Sequence, residues 1–335
     1  MNKLAIPLAA LLTLALAAGC GERKESTSAP RTESLDLVLD YFPNADHVGL
    51  YAAIADGRFR KVGLDVKPRT PSDPAAPLKL LASGQADLAI SYEPEVLLAR
   101  DRGLRVVSVG AIVQKPLTSI MAVGSARIRS VKDLRGKKVG TAGIPYQSAY
   151  LKTILARANV NPNSVDEINV GFNLVPAMLS RRVDATLGAF WNYEGVELRQ
   201  RKRAPTVIPV DRVGVPTYNE LVIVARKDDL ADRGGRVRRF MRALGAGYAA
   251  ARANPERAVG QLVRANPSLQ RKLQLASVRA TLPVFFPADE KRPFGYQDRR
   301  AWDAYGRWMH DNELVRNPPR ASRAATNEFL PGQGI

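Results

Sequence analysis

The chain has 335 residues, 45% of them apolar, and a formal charge of +18 with only two histidines and one cysteine. A single cysteine excludes an intrachain disulfide framework or thiolate metal site, and His47 and His310 have no partner at metal-ligand spacing. The charge is mostly arginine spread along the chain, densest in RQRKR at 199–203 and GGRVRR at 234–239; with no nucleic-acid module beside it, it reads as a solvated basic surface, and no nucleic-acid partner is expected.

The N-terminus has a positive start at Lys3, a short apolar stretch from Leu4 to Ala18, and Gly19-Cys20 after small residues. That pattern predicts a secretory signal over 1–19, too short for a stable membrane span. Ala17-Ala18-Gly19 before Cys20 resembles a bacterial lipobox, although Leu16 lies one place earlier than the usual aliphatic residue. An ordinary signal cut nearby is the alternative. A lipid on Cys20 with a hydrophilic tether over 20–33 holds the folded part of the chain at a membrane surface. The protein is thus expected to be exported and lipid-anchored, facing the periplasm or cell exterior. No later stretch is long and apolar enough to cross a bilayer.

Strands and helices then alternate. LDLVLDY (35–41) reads as a strand and leads into FPNADH, where Asn44 is a fair N-cap and Asp46 sits in the first turn. Val48, Tyr51, Ala52 and Ala55 come next at helical spacing. GLDVKPR is a strand, APLKLLASG a helix, ADLAIS a strand, EVLLARDRG a helix, and VVSVGAIVQ and SIMAVGS are strands. A second series begins near residue 125. SVKDLRGKKVGTAG gives a capped turn from Ser130 and then a strand, AYLKTILARANV a helix, EINVGF a strand, LVPAMLSRR a helix, and DATLGAF and TVIPV strands. ELVIVAR (220–226) reads as a strand returning to the first series. A helix carrying Phe240, Leu244 and Tyr248 on one face comes after it, and another starts with Asn254 as cap and Pro255 in the first position. Strands alternating with helices argue for a parallel, doubly wound α/β sheet.

A weak internal repeat supports two halves. LLASGQADLAISYE (80–93) resembles AMLSRRVDATLGAFWNYE (177–194), with Asp87 or Asp184, a strand, and then Tyr-Glu; the second copy is four residues longer. Each half thus presents Tyr-Glu at the carboxyl end of a strand, where open α/β sheets bind ligands, though two βα units can also look alike by chance. No P-loop or nucleophile elbow occurs, and the G-x-G-x-x-A string from Gly245 to Ala250 lies inside a helical stretch, which fails the dinucleotide context. An enzyme would need Glu93, Glu194 or His47 to act as acid or base without a recognised partner, so binding is the better reading and no cofactor is expected. Aromatics make up 7% of the chain, yet turns after strands carry Tyr41-Phe42, Tyr92, Tyr146 and Phe190-Trp191-Asn192-Tyr193. They can wall a shared cleft or simply pack loops onto the core.

LDYFPNADHVGLYAA, ISYEPEVLLAR, VGAIVQKPLTSIM, GKKVGTAGIPYQSA, NVGFNLVPAMLSRRVDA and FWNYEGVEL resemble, in order, motifs of the periplasmic-type binding proteins that serve thiamine-pyrimidine transporters, above all those binding formylaminopyrimidine. The resemblance runs from about Leu35 to about Leu282. It implies an α/β, two-lobed periplasmic-binding-protein type II fold, each lobe a mixed sheet flanked by helices, joined by a two-strand hinge near 120–124 and 221–225. Residues 34–122 plus 226–335 form one lobe and 123–225 the other. It also implies a small aromatic heterocyclic ligand, ABC permease subunits as partners, and a monomer. The same broad family includes the eukaryotic thiamine-pyrimidine synthase, which consumes one of its own histidines and uses a lysine carrying pyridoxal phosphate and a cysteine-rich segment. The corresponding LAISYEP has neither Lys nor His, and no cysteine comes after Cys20, which disfavours that chemistry.

An aminopyrimidine is flat and edged with donors and acceptors. The resemblance assigns Glu194 to the ring edge and Trp191 and Tyr193 to the second lobe's wall. Tyr41, Asn44, His47 and Tyr92, with Glu93, come from the first lobe, and Pro145 and Tyr146 form the floor or rim. Structural roles compete: Asn44 as a cap, His47 on the surface, Glu194 as a first-turn acid, Tyr92 as a core tyrosine. Riboflavin, another heterocycle or a sulfonate are rival ligands. Sulfonate is the weakest of these, because a small anion calls for an Arg or a helix N-terminus in the cleft.

Overall fold

The computed structural model describes residues 32–317, 320 and 323–332. The expected signal, Cys20 and nearly all of the tether lie outside the described residues.

The first sheet is built from β1 (Glu33–Val38), β2 (Leu64–Arg69), β3 (Leu88–Ser91), β4 (Val106–Val113) and, much later in the chain, a returning strand. Between them run α1 (Val48–Ala55), α2 (Arg58–Lys61), α3 (Pro77–Ala82) and α4 (Glu93–Asp101). The second sheet takes β5 (Thr118–Val123), β6 (Lys138–Thr141), β7 (Asp166–Asn169), β8 (Ala185–Phe190) and β9 (Pro205–Pro209), with α5 (Pro145–Arg157), α6 (Leu174–Leu179) and α7 (Glu194–Gln200). The returning strand is β10 (Leu221–Arg226), followed by α8 (Asp229–Ala253), α9 (Pro255–Ala265), α10 (Arg271–Thr281) and α11 (Arg299–Asp311).

The strand orders are β2-β1-β3-β10-β4 and β7-β6-β8-β5-β9, so the two sheets have one plan. In each, the first three strands are parallel, with Leu37 opposite Leu88 and Val139 opposite Ala185. The fourth strand runs antiparallel to both neighbours. Alternation alone predicts parallel sheets. The antiparallel strands arise because β5 and β10 each enter from the other lobe, without a helical crossover on their own sheet. β5 lies wholly in the second sheet and β10 wholly in the first, so the chain passes between lobes at 114–117 and 210–220, just ahead of the two strands expected to form the hinge.

The central strands read as unbroken apolar runs because both of their faces are covered: β3, β4 and β5 are buried along their whole length. α1 is buried nearly all round, though Ala55 at its end is exposed. It crosses α8 at close range. A Cβ at Gly247 would collide with the carbonyl of Gly49, and one at Gly49 with the Tyr248 ring. The glycines of the Gly245–Ala250 string therefore serve helix packing, inside α8. Arg236 departs from the expected solvated basic surface: it is buried and pairs with Asp87 at 2.9 Å and Glu33 at 3.0 Å, tying α8 to the first sheet. α10, absent from the sequence reading, packs against both α7 and the turn before α1.

Candidate functional site

The turn after β1 is shaped by its own side chains. Asn44 caps a 3-10 turn over Ala45–His47, its Oδ1 accepting from the Asp46 N–H at 2.8 Å while its own N–H donates to His47 Nδ1 at 3.2 Å. Because Nδ1 accepts, the ring proton sits on Nε2, which donates to Asp40 Oδ1 at 2.9 Å. Tyr92 Oη, from the end of β3, donates to Asp40 Oδ2 at 2.9 Å. The buried Asp40 carboxylate is therefore held at both oxygens, at the carboxyl end of β1.

Asp40 opens onto a hollow between the lobes. The first lobe supplies Asp40, Tyr41, Asn44 and Tyr92, and the second supplies Ala142, Ile144, Gln147, Leu174, Gly188, Phe190, Tyr193 and Glu194. Gln147 accepts from the Ala142 N–H at 2.8 Å, and its amide fits only because Gly188, at φ +113, has no Cβ to strike it. Glu194 accepts the Phe190 N–H at 2.7 Å. Burial pushes Glu194 up to about 7 against the lowering effect of that bond. Among the described residues, the buried Tyr41 hydroxyl has no hydrogen-bond partner. The Tyr41 ring meets Phe172 of the opposite lobe edge-on at 4.6 Å. The hollow leaves about 20 Å³ for the centre of a water molecule, room for one water. An aromatic ring needs the walls to part. An outer groove of about 380 Å³ shares Leu174, Tyr193 and Glu194 with it and continues along Phe42 and α10, where Gln274 donates to Tyr193 Oη at 3.1 Å.

Of the ten residues expected at the site, Tyr41, Asn44, Tyr92, Tyr193 and Glu194 line the hollow. His47 stands behind it, fully buried against Asp40, so it is no surface residue. Tyr146 is likewise behind the wall, its hydroxyl 3.2 Å from Thr118 Oγ1 and its ring 5.5 Å from that of Tyr92; Pro145 is the half-buried first residue of α5. Trp191 does not face the hollow, because its indole N–H donates to the Pro116 carbonyl at 3.0 Å. Glu93 turns the other way. It accepts from the N–H and side-chain amide of Asn219 at 2.7 and 2.9 Å, and lines a different cavity of about 370 Å³ beside the crossing segments. The sequence reading passed over Asp40 and Gln147, and it named Phe190 among the turn aromatics without assigning it a place in the site. The available signal for Asp40 was its place at the end of β1, directly before Tyr41. Among the described residues, no group of three or more His, Cys, Asp or Glu side chains is arranged to hold a metal ion, and no helix is long and apolar enough to cross a membrane.

The family described as NMT1/THI5 like matches residues 44–258. A formylaminopyrimidine-binding protein of Halalkalibacterium halodurans is 34% identical over 94% of this chain and 96% of the relative. A 4-amino-5-hydroxymethyl-2-methylpyrimidine phosphate synthase of Legionella pneumophila is 25% identical over 88% of this chain and 92% of the relative. The fold matches the alkanesulfonate-binding protein SsuA of Xanthomonas axonopodis pv. citri, solved with bound MOPS, with a TM-score of 0.68 at 17% identity over 88% of this chain and 98% of that one.

Proposed function

Because this chain belongs to the NMT1/THI5-like family, we propose that it is the extracytoplasmic solute-binding component of an ABC importer. It captures a thiamine pyrimidine precursor, of formylaminopyrimidine or hydroxymethylpyrimidine type, between its lobes. The observation that carries this reading is the hollow itself, where Asp40 and Glu194 face each other's lobes among Tyr41, Tyr92, Phe190 and Tyr193. Two carboxylates suit a ligand edge rich in N–H donors, and a charged hydrogen bond of that kind is worth roughly 1.5–3 kcal/mol. Each aromatic stack adds about 0.5–1.5 kcal/mol beyond burial. The ring enters when the lobes part, and closure over it gives the permease a shape to recognise, so ligand biases a hinge equilibrium. The reading extends to a lipid on Cys20, attachment to the membrane and a monomeric protein.

Binding is preferred to catalysis because LAISYEP supplies no lysine or histidine at the strand end where the synthase reading needs them, and His47 is held by Asp40 and the Asn44 N–H.

The test is a thermal-shift panel on purified protein that has been unfolded and refolded to strip carried ligand. It contains formylaminopyrimidine, hydroxymethylpyrimidine, thiamine, riboflavin and taurine. A pyrimidine at a hundred times its Kd stabilises the folded form by about 2.7 kcal/mol. Glu194→Gln weakens binding about tenfold or more, while Glu93→Gln leaves the ligand-induced shift near wild type. A response to riboflavin alone transfers the ligand, and equal effects of the two substitutions remove Glu194 from the site.

A further inference from the structure

Asp46 and Asn192 meet across the lobes, the first from the 3-10 turn before α1 and the second from the turn between β8 and α7. They are 1% and 0% exposed. Asn192 Nδ2 donates to Asp46 Oδ1 at 2.7 Å and to Thr281 Oγ1 at 2.6 Å. Thr281 gives its own proton to the Ser277 carbonyl at 2.8 Å, so its Oγ1 has only lone pairs to offer Asn192, and the amide nitrogen must face it. Among the described residues, two buried oxygens are then left without partners, Asp46 Oδ2 and Asn192 Oδ1. Two acceptors cannot satisfy one another. One proton on Oδ2 turns it into a donor, and acid and amide can then close a ring of two hydrogen bonds while the second amide N–H remains on Thr281.

We propose that Asp46 and Asn192 form a latch carrying one proton: closure of the lobes over ligand places a proton on Asp46 Oδ2, and opening releases it. The idea rests on the reading of the lobes as a ligand-closing pair. The surroundings agree with it. The titratable and charged groups around Asp46 are His47 and Asp40 on its own segment, Tyr193 and Glu194 from the second lobe, and Tyr248 from α8, whose hydroxyl donates to the Asp46 carbonyl at 2.6 Å. From α10, Ser277 and Thr281 bring only hydroxyls. Burial pushes Asp46 up to about 7 against the lowering effect of the Asn192 bond. An opened, hydrated Asp46 returns toward about 3.9. The closed form therefore binds the extra proton, is favoured as pH falls toward neutrality and below, and loses that advantage as pH rises through about 7.

Glu194 and Glu220 are also buried acids raised to about 7, Glu93 is raised to about 8, and half-buried Glu95 to about 7, so the experiment isolates Asp46. Asp46→Asn keeps a two-bond ring with Asn192 and needs no proton. Formylaminopyrimidine affinity is measured by calorimetry at pH 6 and 8.5 for wild type, Asp46→Asn and Asn192→Ala. Between these limits the Asp46 contribution weakens wild-type binding about tenfold. Asp46→Asn loses that step and binds more tightly than wild type at pH 8.5, and Asn192→Ala loses the step while binding weakly at both. Asp46→Asn tracking the wild-type slope, or binding less tightly than wild type at pH 8.5, overturns the latch. A ligand-free arm uses small-angle scattering: wild type is more compact at pH 6 than at 8.5, and Asp46→Asn is compact at both. If no pyrimidine binds, the functional reading falls by itself and scattering still decides the latch, which fails if the two proteins change together with pH or do not change at all.

Discussion

The third strand of each sheet leads into the same dipeptide, Tyr92-Glu93 after β3 and Tyr193-Glu194 after β8, and the two units begin alike. Asp87 Oδ2 accepts the Asp36 N–H at 2.9 Å as Asp184 Oδ2 accepts the Lys138 N–H at 2.9 Å, each aspartate bracing the start of its strand against the neighbouring one. They end differently. β3 has four residues and only Tyr92 separates it from α4; β8 has six, and three residues separate it from α7. The longer turn lets Glu194 fold back onto Phe190 and face the hollow, while Asn192 reaches Asp46 in the other lobe. With the short turn, Glu93 points to Asn219 and braces a crossing segment. One supersecondary unit thus serves twice, once to hold the connection between lobes and once to line the hollow between them. Burial raises both acids, Glu93 to about 8 and Glu194 to about 7, so an altered acidity alone does not separate the two roles.

The largest effect is expected where both lobes' fourth strands begin. Glu220, ahead of β10, accepts from the N–H groups of Leu117 and Thr118 at 2.6 and 2.8 Å, from Thr118 Oγ1 at 2.9 Å, and from Tyr218 Oη at 3.1 Å. Glu220→Ala strands several buried donors at the entry to β5 and costs about 3–5 kcal/mol of stability in urea unfolding. A loss below about 1 kcal/mol would mean that the crossings are braced by other contacts. Next comes the matched pair of aspartates. Asp87 is also bonded by Arg236 at 3.0 and 2.9 Å. Burial works to raise its carboxyl, but Arg236 and the Asp36 N–H outweigh this and hold it below the usual carboxylate range. Asp184 has no ion pair of this kind among the described residues. Asp87→Ala should cost about 2–3 kcal/mol by leaving a buried guanidinium short of partners, and Asp184→Ala about 1 kcal/mol. Equal losses would show that the shared strand-bracing bond, and not Arg236, dominates.

The elements most visible in the sequence were those whose cause is local. Asn44, Ser130 and Asn254 cap where they were expected to, because an N-cap is decided by a side chain within three residues of its target. The repeat around Asp87 and Asp184 was readable for the same reason. What escaped depended on distant partners. Asp40 looked like the polar end of a strand, and its importance comes from Tyr92, 52 residues away, and from the tautomer of His47. The repeat gave Glu93 and Glu194 equal standing. The four-residue difference was visible, but the direction each acid takes depends on turn geometry that spacing does not encode. α10 showed no motif, yet Gln274 and Thr281 reach residues 193 and 192 across more than 80 positions of chain.

The smallest effect tests whether the longer turn divides its work as the geometry indicates. Trp191 fastens that turn to the crossing segment through Pro116, while its neighbours Asn192 and Glu194 face the other lobe and the hollow. Trp191→Phe keeps most of the apolar contact and removes one half-buried N–H donor, so the expected loss is about 1 kcal/mol of stability. Because the indole does not line the hollow, the Kd for a pyrimidine ligand should change by less than about threefold, equivalent to under 0.7 kcal/mol. Calorimetric titration beside urea unfolding separates the two quantities. A large loss of affinity with unchanged stability would bring Trp191 back into the binding wall and require the turn to rearrange when the lobes close on ligand.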